Sequence, residues 1–121
     1  MIPNHARGWL EAALNEHKRP LYTMSDVEAA IERGEAFLKV GAHSCVLIGV
    51  ADEGGAGERI ADVWLAAGDM EEITSAVPAL EAWARDMGCT QVVLNGRKGW
   101  ERALAPQGYE YLSTSVRKLL T

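Results

Sequence analysis

Three stretches of this chain hold residue types at spacings that can do chemistry. The first is Gly96-Arg97-Lys98-Gly99, which follows the apolar run Val92-Val93-Leu94-Asn95 and precedes a short segment opened by Trp100. A cationic junction between a buried strand and a helix is the usual place for anion recognition in open α/β sheets. Arg97 and Lys98, with Arg102 nearby, are candidates to hold a phosphate, a nucleic-acid backbone or an acidic partner surface; a plain polar loop is the alternative. The second is Gly68-Asp69-Met70-Glu71-Glu72, at the head of the longest amphipathic segment. Carboxylates there answer the free amides and positive dipole end that would otherwise attract an anion. The third is Asp62 in a strand-like run, a general-base candidate whose simpler reading is a solvent-facing acid.

Other patterns carry less. Gly54-Gly55-Ala56-Gly57 lacks the Lys-Ser/Thr ending of a phosphate loop and joins two strands, so it reads as a hairpin turn. His5, His17 and His43 are scattered, with no carboxylate or thiol spaced to complete a ligand set, and no metal is expected. Cys45 and Cys89 stand alone beside apolar residues and read as reduced, buried thiols. No Gly-x-Ser-x-Gly elbow supports hydrolase chemistry. Of four tryptophans, Trp64 and Trp83 fit core faces. Trp9 and Trp100 fall on short helices, where each reads either as core or as an interface anchor.

The net charge of −5 over 121 residues argues against nucleic acid and anionic membranes as partners, since both need a cationic surface. Residues 1–5 lack the cationic-then-apolar pattern of a signal peptide, and no run reaches the ~18 apolar residues of a membrane span. A cytoplasmic protein is expected. The 48% hydrophobic content suits one ordinary core.

These residues need elements to position them. Residues 5–17 read as a helix ended by Lys18-Arg19-Pro20, and Ser25 with Glu28 reads as a capping box opening a second helix. Residues 35–40 and 44–50 read as strands joined by Gly41-Ala42-His43, and 58–67 as a third. In that third strand Ile60, Asp62, Trp64 and Ala66 should share one face, and Ala61, Val63 and Leu65 the other. Residues 69–87 form the clearest helix, with Ile73, Val77, Leu80, Ala84 and Met87 as its stripe, Asp69 and Glu72 as an acidic capping pair, and Pro78 as an expected bend. A buried strand over 89–94, a short helix over 100–105, and a bent strand or hairpin over 109–120 complete the chain. With no repeat or linker, one domain is expected over 1–121: an N-terminal helix and connection (1–24), a helix with antiparallel strands (25–67), and a helix-strand-helix-strand half (68–121).

That element order resembles the GNAT (GCN5-related N-acetyltransferase) fold: α/β (α+β), a mixed, mostly antiparallel sheet with helices on both faces. Asn95, Ala103 and Gly108-Tyr109 resemble the family stretch in which an Asn ends a strand, a short helix follows, and a Gly-aromatic pair opens the next strand. Residues 88–102, with Tyr109-Glu110-Tyr111 and Val116-Arg117-Lys118-Leu119-Leu120, also resemble short GNAT-like proteins of phage morphogenesis modules. The resemblance implies acetyl-CoA held at the turn before the long helix, by Gln/Arg-x-x-Gly-x-Gly/Ala. Here the turn is Ala66-Ala67-Gly68-Asp69-Met70-Glu71-Glu72, with one glycine and three carboxylates. It also implies a tyrosine proton donor four residues before the Gly-aromatic pair, where this chain has Leu104.

The expectation is therefore a catalytically degenerate GNAT-like phage or prophage protein, with no catalytic residue, cofactor or metal. It would act as a virion or assembly component, host-cytoplasmic during assembly, with the virion as its second location. Its partners would be other phage structural proteins or a second copy of itself, met through Arg97, Lys98, Trp100, Arg102 and Trp9. The alternative is an acetyl-CoA-dependent N-acetyltransferase using Gly68, Asn95, Arg97 and Lys98.

Overall fold

The computed structural model describes residues 2–15, 23–53, 57–94, 99–112, 118 and 120. Helix α1 spans Asn4–Leu14, and its buried residues Ala6, Leu10 and Leu14 recur every four positions along one face. Helix α2 spans Met24–Glu32 and starts earlier than the Ser25–Glu28 pattern suggests. Its capping box is made by Thr23 and Asp26: the Thr23 hydroxyl accepts from the Asp26 amide at 3.2 Å, and the Asp26 carboxylate from the Thr23 amide at 2.9 Å. Both pairs satisfy the i, i+3 rule, and the pair one residue ahead of the helix forms the cap.

Strands β1 (Ala36–Val40), β2 (Ser44–Glu53) and β3 (Glu58–Gly68) form an antiparallel meander, and β4 (Gln91–Leu94) pairs with β3 in parallel, giving the order β1-β2-β3-β4. The alternation expected in β3 fails at one place. Leu47 pairs with Leu65 but Ile48 pairs with Val63, so Trp64 is an extra residue and the strand bulges there. Ala61 and Val63 face the long helix, but past the bulge the phase shifts. Leu65 and Ala67 then pack with the α1 and α2 side chains, while Ala66 takes the helix-facing position.

Helix α3 (Met70–Asp86) covers the second face of the sheet through Ala84, Leu80 and Trp83, so helices lie on both faces, as expected. Its C-terminal end is held by Arg59, whose Nε donates to the Met87 carbonyl at 2.9 Å. Pro78 does not interrupt this helix. A proline there withdraws the amide that Thr74 O would accept, and Gln107 Nε2 donates to that carbonyl instead, at 3.1 Å. Pro78→Ala restores the helical bond and relieves the ring, at the cost of the Gln107 contact. Denaturant unfolding should show a net stabilisation of about 1 kcal/mol; a loss of stability would show that the proline is needed in place.

Helix α4 (Gly99–Leu104) and a 3₁₀ turn (Ala105–Gln107) return the chain onto α3, where Ile73, Val77, Trp100 and Leu104 form a third buried cluster. Residues 109–112 are not in a strand, where the reading of 109–120 expected one to begin; 113–117 and 119 lie outside the described residues. Tyr109 is instead tied to α3, its hydroxyl donating to Glu81 Oε2 at 2.9 Å. Cys45 and Cys89 are free and buried, and burial pushes the Cys45 thiol up to about 11. Among the described residues no helix is long and apolar enough to cross a membrane.

Candidate functional site

Among the described residues the parallel pairing of β3 with β4 runs from Ile60–Gln91 to Val63–Leu94, and β3 continues to Gly68. Residues 95–98, which follow Leu94, lie outside the described residues, and among the described residues the 64–68 segment has no strand on its β4 side. The C-terminal ends of parallel strands, next to a helix N-terminus, are the preferred ligand position in open α/β sheets. Beneath it Val46, Val63, Ala66, Leu94, Ile73, Ala76, Val77 and Leu80 line a gap with about 20 Å³ open to the centre of a water molecule. That is room for about one water, and a lining this apolar gives it no partners.

The front of α3 differs from the sequence expectation. Asp69 does cap, accepting from the Glu71 amide at 3.1 Å, while its own amide donates to His43 O at 2.8 Å. Glu72, however, does not reach back to its own helix. Its carboxylate accepts from the His43 amide at 3.0 and 3.2 Å and from Ser44 Oγ at 2.8 Å, clasping the β1–β2 turn. Two of the four first-turn amides are thereby answered, and the expectation that Asp69, Glu71 and Glu72 together answer them all is corrected. Glycine permits the clasp. A Cβ at Gly41 would lie 2.0 Å from Glu72 Oε1, and one at Gly68 2.3 Å from His43 O.

The Ser44 hydroxyl first, and then the His43 amide, hold the Glu72 carboxyl below its ordinary value. A depressed folded pKa contributes stability above the unfolded pKa, and that stability is lost as pH falls through the folded value. Acid unfolding of the native protein should therefore show a component below pH ~4 that is missing in Glu72→Gln. Identical acid limbs for the two proteins would show that the clasp does not form.

The other expected site residues scatter. Gly68 ends β3 with φ +101°. Asn95, Arg97 and Lys98, the cofactor and anion candidates, lie outside the described residues, as do His17 and the 54–56 part of the glycine turn. Trp100, at 8% exposure, packs with Ile73, Val77 and Leu104, which is the core alternative of its two readings. Trp9 is half-buried against the α1–α2 core, with the His5 ring edge-on to it. Arg102 is exposed on α4. Asp62 is half-buried in β3, opposite Gly49 and Val93. Leu104 is 1% exposed, and the phenol of Tyr109 is raised by burial and by its bond to Glu81. No three His, Cys, Asp or Glu come together among the described residues. The Glu72–Ser44 contact spans 28 positions, so no local spacing announces it.

No family model matches the chain, and no curated protein matches it significantly. Solved structures do. An acetyltransferase from Trypanosoma brucei superposes with a TM-score of 0.62 at 13% identity, over 91% of this chain and 94% of that one. The glucosamine-6-phosphate N-acetyltransferase of Arabidopsis thaliana gives 0.62 at 11%, over 93% and 89%. An aminoglycoside acetyltransferase from an uncultured soil metagenomic sample gives 0.64 at 11%, over 96% and 87%. At these identities the likeness establishes the fold, which is GNAT-like.

Proposed function

We propose that the chain is an N-acyltransferase that takes an acyl thioester into the fork between β3 and β4. The observation that carries this reading is the parallel β3–β4 pair, whose C-terminal ends adjoin the N-terminus of α3 in a fold shared with acetyltransferases. Past the described pairing, β3 runs through the bulge at Trp64 to Gly68, beside that N-terminus. An amide-containing arm such as pantetheine adds to a strand edge as a strand would, through backbone donors and acceptors. The half-buried Ala66 and Leu94 offer the acyl end an apolar wall. In the transfer the amine nitrogen attacks the thioester carbonyl, the C–N bond forms, the C–S bond breaks, and the amine proton passes to water. A thiolate of pKa ~8.5 is a competent leaving group near neutral pH, so Leu104 in place of a proton-donating tyrosine slows the step without forbidding it.

Coenzyme A fits this site in part. Its arm suits the strand edge, whereas its diphosphate meets an α3 front already capped by Asp69 and carrying the charges of Glu71 and Glu72. Each such charge opposes a diphosphate by about 1 kcal/mol at short range. S-acetylpantetheine and acetyl-CoA should therefore raise the thermal midpoint with affinities within about threefold of one another. Each should also release free thiol when an amine acceptor is supplied. Failure of both thioesters to bind would refute the reading. A strong preference for acetyl-CoA would refute the account of the helix front.

A second reading, a non-catalytic chain that binds no acyl thioester, is favoured by the Asp69 cap and by the buried Leu104. It expects no stabilisation by either thioester.

A further inference from the structure

We infer that strand β1 is the pairing edge of a symmetric dimer, with a second copy of this chain as its partner. The inference is independent of the acyltransferase reading. In the sheet order β1 is terminal, and no strand lies on its outer side among the described residues. Exposed edges are ordinarily blunted by proline, by a bulge or by a charge aimed outward. Strand β1 has no proline, and its five-residue register with β2 is unbroken. Its one charge, Lys39, is drawn onto the ring of Trp83, with Nζ 4.7 Å from the centroid.

The register of such a dimer follows from the hairpin. The Gly41 amide donates to Ser44 O at 2.8 Å, so in antiparallel alternation Gly41, Lys39 and Phe37 turn their backbone groups toward β2. Ala36, Leu38 and Val40 then turn theirs outward. An antiparallel match with Phe37 on the two-fold axis pairs Ala36 with Leu38 of the second copy, and the reverse, using those outward groups. The same match sets Glu35 opposite Lys39 of the second copy twice over, and sets the two Phe37 rings against each other. Glu35 already holds Arg33 at 3.0 Å, so the incoming lysine joins an existing ion pair on the same face. The edge is thus self-complementary in both hydrogen bonding and charge, as an isologous contact requires.

Sedimentation equilibrium over a concentration series tests this. The native protein should show a reversible monomer–dimer equilibrium that weakens with salt. Lys39→Glu and Glu35→Lys should each weaken association about tenfold or more, since each opposes like charges at two places per dimer. The double variant carrying both changes should recover it, because opposite charges again face each other. Circular dichroism and thermal midpoints serve as the folding control, both side chains being exposed. A native protein that stays monomeric to about 1 mM, the weak limit of useful association, overturns the inference. So does a dimer that ignores either single reversal, or single variants that the double change fails to rescue.

Discussion

Trp100→Ala should lower the free energy of unfolding by about 3–5 kcal/mol, the range for deleting a fully packed aromatic side chain. The indole is 8% exposed, and around it Ile73, Val77 and Leu104 are 5%, 2% and 1% exposed. These residues belong to α3 and α4, so the cluster is what fastens the short helix to the long one. A six-residue helix cannot hold itself together in water and relies on such packing. Trp100→Phe keeps most of the buried area and should cost less than half as much. Equilibrium denaturation of the three proteins separates the possibilities. If Trp100→Ala costs less than about 1 kcal/mol, the ring is dispensable to the core and its reading as a surface anchor returns.

The same residue shows what local pattern reveals and what it hides. The 17 residues of α3 give its apolar stripe four turns in which to repeat, so its face is legible from spacing alone. Helix α4 has too few positions for a period to emerge, and Trp100 is equally compatible with core and surface until its neighbours are known. The strands were legible for a different reason: β1, β2 and β3 are short apolar runs punctuated by glycine-bearing turns at Gly34, Gly41 and Gly54–Gly57. The Trp64 bulge was not, because a single inserted residue leaves each flanking stretch alternating and shifts only their relative phase. At the start of α2 two overlapping capping patterns competed, and side-chain geometry chose Thr23 with Asp26. At the front of α3 the three acids were correctly seen as crowding the helix start. The destination of Glu72 depends on a turn nearly thirty residues earlier, which only the folded sheet brings alongside.

That turn is also the basis of the other large expected effect. Gly68→Ala should destabilise the protein by about 3 kcal/mol or more, through two costs at one atom. The backbone there has φ +101°, where an L side chain is strained, and the added Cβ would lie 2.3 Å from His43 O and 2.7 Å from Ser44 Cα. Both obstacles are backbone, so neither can swing aside; relief requires β3 and the β1–β2 turn to separate. Separation breaks the Asp69–His43 bond and opens the Glu72 clasp, loosening the front of α3 and the β3 edge that leads to it. Gly41→Ala is the informative contrast. Its Cβ meets the carboxylate end of Glu72, which is a side chain and can rotate, so that change should cost roughly 1 kcal/mol, the loss of a hydrogen-bonded contact. If the two variants prove equally mild, the turn does not rest on the strand at Gly68. The crowding argued for the mouth of the fork would then have no physical basis.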